Sequence, residues 1–358
     1  MSLRPLKVVM MPDFRAGNPY QSMLATAMEQ AGVSVTFPSG YRRILPIWRA
    51  VSQASVDVLH LHWLSPYLKG RNTFWASIYA AKFCFDLCLV RLNQVKIIWT
   101  IHNQISHEAQ FPRIERFVQK FVGRLAAGLI VHSESARQTM IDTGLDFKAK
   151  PLRIIPHGHY AGSYSEPVPL QEARQTLGWD AEQIVFLYFG MVRPYKNLEG
   201  LIEAWRSLPM LAKRGNLVIV GEAADPAYRQ HIQKLAEGVP GMSLQLRHIP
   251  DREVHLYFSA SNVVVLPFKK ILTSGSLLLA MSFGKPIVAP RLDLITEILR
   301  NADDLLYDGT SEEKLRTALE LAASPATDLV SLSSRIKDSC VELSWDRIAL
   351  LTKSVYEG

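Results

Sequence analysis

The chain has 358 residues, with 40 lysines and arginines against 33 acidic residues, so its formal net charge is +7. Apolar residues make up 48% of it, enough to bury a large core, and the length suits two domains. Three cysteines, Cys84, Cys88 and Cys340, are too few for a disulfide framework and lack zinc-ligand spacing. The apolar run within residues 1–13 is too short for a signal peptide, and the most apolar stretch, Phe74 to Leu92, carries Lys82, Asp86 and Arg91. A cytoplasmic protein with no membrane span is expected, and a disulfide-stapled secreted domain is excluded.

Short β-branched runs alternate with amphipathic segments from end to end. Residues 7–11, 33–37, 56–61, 95–101, 128–132 and 152–155 read as strands, and 20–31, 73–92, 112–126 and 133–143 as helices. Apolar strands separated by helical patterns point to parallel sheets covered on both faces. Ala161 to Leu170, rich in Gly, Ser and Pro, breaks both periodicities and reads as a linker. The alternation then restarts. Strands are expected at 184–189, 217–220, 244–247, 263–266 and 287–289, and helices at 197–206, 227–237, 253–259, 275–283, 311–323, 329–343 and 345–356. The pattern predicts an α/β protein of two Rossmann-like doubly wound domains facing each other across a cleft. Residues 1–162 form one, 163–343 the other, and 344–358 a closing helix. Ligands of such sheets bind beyond the carboxyl ends of the strands.

Charge is divided unequally: residues 1–165 hold 19 basic and 9 acidic side chains, and residues 166–358 hold 21 and 24. Arg113, Arg116, Lys120 and Arg124 recur at helical spacing beside Phe117, Val118, Phe121 and Val122. Phe74, Trp75, Ile78 and Tyr79 follow Lys69 and Arg71, and Tyr41–Arg49 forms a third aromatic-basic segment. This mixture suits an anionic membrane surface, or else helices that cover their own sheet while the bases solubilise. No recognition motif for nucleic acid accompanies the charge.

Two segments carry the clearest chemistry. In Phe189–Asn197 a buried strand ends at Gly190, and Arg193 and Lys196 follow just before a helix start. Two cations beside a helix N-terminus suit a diphosphate, the alternative being solvated loop cations. In Val263–Ser276 a strand runs into Thr273, Ser274, Gly275 and Ser276 ahead of a helix. Free N–H groups and three hydroxyls there would cradle phosphate oxygens without a metal, whereas an ordinary N-cap needs one hydroxyl.

The order and spacing of these segments resemble the family 4 group of GT-B glycosyltransferases, over nearly the whole chain. The resemblance rests on the early loop Phe14–Tyr20 with Gly17, Val58–Trp63, Thr100–Asn103, Ile130–Ser133, Ile154–Gly158, the Gly190–Lys196 loop, Val218–Glu222, Ala280–Pro286 and Ser344-Trp345. It implies that the second domain holds a nucleotide-sugar donor and the first an acceptor. The phosphate-binding Lys of the family falls on Lys196. Its partner Arg normally follows the Gly directly, a place held here by Met191, so Arg193 is the substitute. Two Glu eight positions apart are replaced by Ile271 and Leu279. Gly17, Gly190, Glu222 and Thr273–Ser276 complete the expected donor site.

His102 matches a family His near the sugar-diphosphate junction. It would hydrogen-bond there, or act as the base that deprotonates the acceptor, or be a core histidine. His60 and His62 are read as alternating across a strand, so that only one faces the cleft, with His62 preferred. His62, Asn103 and His107 are the candidates for meeting the acceptor. The resemblance implies a hexosyltransferase that moves mannose, glucose or glucuronic acid from a UDP- or GDP-sugar to a glycan or lipid-linked acceptor, at the inner membrane face. No metal or other cofactor is expected. The competing expectation is a catalytically inactive nucleotide-sugar-binding or membrane-surface scaffold of the same fold.

Overall fold

The computed structural model describes residues 4–38, 44–53, 55–102, 110–142, 144–145, 152–309 and 311–358. They divide into two units, Met1–Gly158 with Leu343–Gly358, and His159–Glu342. Numbered in chain order, the first unit contains β1 (Leu6–Met11), α1 (Pro19–Gln30), β2 (Val33–Thr36), α2 (Pro46–Ser52), β3 (Val58–Leu61), α3 (Thr73–Leu92), β4 (Lys96–Thr100), α4 (Pro112–Leu125), β5 (Gly128–Val131), α5 (Glu134–Asp142), β6 (Leu152–Ile154) and the last helix, α15 (Trp345–Glu357). Its strands are all parallel, in the order β2-β1-β3-β4-β5-β6. The chain leaves β1 on one side and returns on the other, so the topological switch lies between β1 and β3.

α15 joins this unit because its face Ile348, Ala349, Thr352, Val355 and Tyr356 is buried. It packs on α1, Lys353 Nζ donates to the Ala31 carbonyl (2.8 Å), and the Tyr356 hydroxyl meets His60 Nδ1 (2.7 Å). α3 reaches 20 residues and, by length and composition alone, is apolar enough to cross a membrane, although it carries Lys82, Asp86 and Arg91. Its face Ala76, Ala80, Phe83, Leu87 and Val90 is buried in the unit. Buried Asp86 accepts the N–H groups of Ile47 (3.0 Å) and Trp48 (2.7 Å), and so caps α2 from 38 residues away. That tertiary cap explains why α2, which has no capping side chain of its own, is invisible in the local sequence.

The second unit contains α6 (Leu170–Leu177), β7 (Ile184–Phe189), α7 (Leu198–Arg206), α8 (Pro209–Ala212), β8 (Gly215–Val220), α9 (Pro226–Ala236), β9 (Met242–Gln245), α10 (Asp251–Ala260), β10 (Val263–Val265), α11 (Gly275–Ser282), β11 (Ile287–Pro290), α12 (Asp293–Ile298), β12 (Leu306–Tyr307), α13 (Glu312–Ala322) and α14 (Leu329–Val341). Its parallel sheet runs β12-β11-β10-β7-β8-β9, with the switch between β7 and β10. The carboxyl ends of β7 and β10 therefore flank the crevice where a ligand of this sheet belongs. α6, α8, α12 and the two-residue edge strand β12 are additions to the sequence reading, each too short to show a period.

Candidate active site

Both sequence-selected segments of the second unit leave strands at its switch. Gly190 ends β7 with φ +145°, a region essentially closed to other residues, and a Cβ there would stand 2.5 Å from Ser276 Oγ. Gly221 ends β8 with the same φ, and a Cβ on it would overlap the Gly190 carbonyl. The Gly190 N–H donates to the Val220 carbonyl (3.0 Å) and the Val192 N–H to that of Glu222 (2.9 Å), which ties the two loops together. A 3-10 turn, Pro194–Lys196, then leads through Asn197, in left-handed conformation, into α7.

Lys196 is 7% exposed. Its ammonium lies 4.1 Å from the centre of the Phe268 ring, just beyond β10, and 5.2 Å from that of Tyr195. Among the described residues no carboxylate pairs with it. Burial, with the positive charge of Arg193 adding to it, pushes its pKa down to about 7. A buried cation without a counter-ion is a standing demand for an anion. Arg193 is half-buried, and its Nη2 reaches Met191 Sδ at 3.3 Å.

Across the switch, Ser274 is the N-cap of α11: its hydroxyl accepts the Leu277 N–H at 3.1 Å. That uses one hydroxyl and leaves the first N–H groups of α11, at Gly275 and Ser276, projecting from its N-terminal end, the positive end of the helix dipole. Gly275 is exposed, and Thr273 and Ser276 are half-buried. The structure thus brings Gly190 against Ser276 of the α11 turn, and Lys196 of the same loop against Phe268, just beyond β10.

The first unit holds a different constellation at its own switch. His62, just beyond β3, is buried, and its Nδ1 lies 3.1 Å from His102 Nε2; His102 Nδ1 in turn lies 3.2 Å from His132 Nε2. His132 Nδ1 meets the Ile155 carbonyl at 2.9 Å. Trp63 stacks on the His102 ring with centres 4.3 Å apart, and Tyr20 contacts His62, His102, His132 and His157 edge-on or tilted. His60 and His62 are both buried with ring centres 4.2 Å apart. This corrects the expectation that they alternate, because residues two apart on a strand share a face.

Burial moves every one of these histidines toward the neutral form: His60 and His157 to about 3, His132 to about 4, and His62 and His102 well below 6.5. A cavity of about 20 Å³ is lined by His62, Trp63, His102, Glu115 and Gln119, with Leu64, Ser65 and Trp99.

Residues 170–330 match the family model described as Glycosyl transferases group 1. The chain is 28% identical over 351 residues to the GDP-mannose:glycolipid 4-beta-D-mannosyltransferase of Xanthomonas campestris pv. campestris, covering 95% of this chain and 88% of that relative. Among solved structures, a sucrose-phosphate synthase from Thermosynechococcus elongatus superposes with TM-score 0.75 at 19% identity, over 99% of this chain and 98% of that one. HepE of Anabaena, in complex with UDP and glucose, superposes with TM-score 0.72 at 15% identity, over 98% of each. The chain is a GT-B glycosyltransferase.

Of the remaining sequence-selected residues of this glycosyltransferase, Gly17 belongs to the first unit and Glu222 to the second. Gly17 is exposed in the loop after β1, with open space where a Cβ would stand. Glu222 is exposed and contributes its carbonyl to the Gly190 loop. Asn103 and His107 lie outside the described residues, as do Arg42 and Arg43. Ile271 is half-buried and Leu279 is buried, so neither position offers a carboxylate. The sequence reading gave no role to Phe268, which shields Lys196, or to His132, which orients His102. A His directly after the apolar strand β5 was the available signal for the latter.

Proposed function

We propose that this nucleotide-sugar glycosyltransferase transfers mannose from GDP-mannose to a glycolipid at the inner face of the cytoplasmic membrane, without a divalent metal. The carrying observation is the buried Lys196, unpaired with any carboxylate among the described residues, in a loop whose Gly190 lies against Ser276 at the start of α11. The choice of mannose and glycolipid is supported by the Xanthomonas relative, whose match runs over nearly all of both chains.

In this reading the second unit takes the donor and the first the acceptor. As the bond between the anomeric carbon and the diphosphate breaks, its electron pair moves to phosphate oxygens. Lys196 and Arg193 meet that charge, and the N–H groups of Gly275 and Ser276 donate to it. A metal would otherwise supply this stabilisation. A β-mannoside made from an α-linked sugar nucleotide forms with inversion, so a base must take the proton of the acceptor hydroxyl.

The membrane part of the reading rests on α3. Phe74, Ile78, Phe85 and Leu92 are exposed and, at ~100° per residue, fall within about 40° of one another, opposite the buried face. α4 packs on α3 and exposes Phe117 with Arg113, Arg116 and Arg124. Each such base near an anionic surface contributes about 1 kcal/mol.

The test is a transfer assay with GDP-mannose, UDP-glucose and UDP-glucuronic acid on a lipid-linked saccharide, with and without EDTA. GDP-mannose should be the donor used and EDTA should leave the rate unchanged. Turnover with a UDP-sugar alone, or loss of activity in EDTA, contradicts the reading. Sedimentation with phosphatidylglycerol vesicles tests the surface. Binding should fall with salt and in Arg113→Glu/Arg116→Glu, and no retention at low salt removes the membrane claim.

A further inference from the structure

The imidazoles of the first unit form a chain whose direction is set by one fixed point. The Ile155 carbonyl can only accept, so His132 carries its proton on Nδ1. Held neutral by burial, His132 then presents a lone pair on Nε2, and the facing His102 Nδ1 must donate. His102 is neutral by the same cause, so its Nε2 accepts, and His62 Nδ1 donates to it. His62 is left with its lone pair on Nε2. That atom is fully buried and has no hydrogen-bond partner among the described residues, and His62 lines the 20 Å³ cavity with Glu115 and Gln119. A space of this size holds one water or one hydroxyl.

We propose that His62 Nε2 is the proton acceptor of the first unit, taking the proton of an O–H group in this cavity, with His102 and His132 as positioning residues behind it. The proposal rests on the transferase reading. As the acceptor oxygen bonds to the anomeric carbon and the diphosphate leaves with its electron pair, the acceptor proton passes to His62 Nε2. The Nδ1 protons of His62 and His102 then shift one imidazole along, and the positive charge comes to rest on His132 beside the Ile155 carbonyl. The proton later leaves by the same route.

Among the described residues, the groups facing the chain are Tyr20 of α1, His60 of β3, His157, whose Nδ1 is held by the Gly158 carbonyl (2.8 Å), Glu115 and Gln119 of α4, and Trp63. His60 is itself engaged at both nitrogens by Tyr356 and Thr100.

Two measurements test the assignment. Long-range 15N–1H correlation spectra of the wild-type protein at pH 7 should show His62, His102 and His132 all protonated on Nδ1 alone. An Nε2–H on His62 overturns the chain, whatever the enzyme transfers. His62→Phe should then lower kcat by at least 100-fold and abolish the acid limb of the kcat–pH profile, with the calorimetric affinity for GDP unchanged. A kcat within twofold of wild type overturns the catalytic role and leaves mannosyl transfer standing; a wild type inactive with every donor and acceptor overturns the transferase reading and leaves the tautomers to test the chain. A proton inventory in H2O/D2O mixtures separates a linear direct transfer to His62 from a curved one through a cavity water.

Discussion

Lys196 should stabilise a ligand at the expense of the protein that holds it. Its pKa falls from 10.5 to about 7 on folding, and at ~1.36 kcal/mol per decade the buried ammonium costs the second unit roughly 5 kcal/mol. The folded-state value is the lower one, so the cost is fully present below pH 7 and is relieved as pH rises toward 10.5. The Phe268 ring at 4.1 Å returns up to about 2 kcal/mol. Lys196→Met removes the charge and leaves a thioether against the same ring. The ligand-free variant should therefore be more stable by roughly 3 kcal/mol at pH 6.5. In a unit of roughly 180 residues that is about 6–12 °C in Tm. The gain should vanish near pH 10, where the wild-type lysine is already neutral. Affinity for GDP should move the other way and weaken by about 50-fold, as loss of one charge-assisted contact implies. Calorimetric unfolding at the two pH values with GDP titrations checks both signs. A variant that is less stable at pH 6.5, or one that binds GDP as tightly as wild type, refutes the reasoning.

Three further outcomes follow from the same geometry. At pH 8 about nine-tenths of Lys196 is neutral if its pKa is about 7, so binding of GDP-mannose should take up close to one proton, read from binding enthalpies in buffers of different ionisation heat, and Lys196→Met should take up none. Gly190→Ala meets both a φ of +145° and the Ser276 hydroxyl; it should destabilise the second unit by about 1–3 kcal/mol and abolish nucleotide binding, and unchanged thermal unfolding and GDP affinity would contradict the close approach. The buried histidines carry folded values below 6.5, so their stability contribution is complete above pH 6.5 and is lost as pH falls. His60, His132 and His157 together should cost the first unit about 4 kcal/mol at pH 5.5, and a first-unit transition that does not move between pH 7 and 5.5 contradicts their burial as neutral rings.

Strands such as β7 and helices such as α3 are legible because each is a continuous, largely apolar run that its own residues define. α2 is not, because the group that satisfies its N-terminal N–H groups is Asp86, on another helix. The same division holds at the site. Gly190, Lys196 and Ser274–Ser276 stand out by residue type beside strand ends. That Lys196 is buried depends on Phe268, 72 residues further on and across the sheet switch, which no local pattern reports. The histidines are the converse case. Their positions are plain in the sequence, yet the role of each depends on which nitrogen faces which neighbour, and the Ile155 carbonyl that decides it lies two strands beyond β4, which carries the His102 loop.

The most direct test is a crystal structure of the protein with GDP bound. The diphosphate should lie within hydrogen-bonding distance of Lys196 Nζ and of the Gly275 and Ser276 N–H groups. A diphosphate seated elsewhere, with the Lys196 ammonium still bare against Phe268, would contradict the donor site on which the account depends.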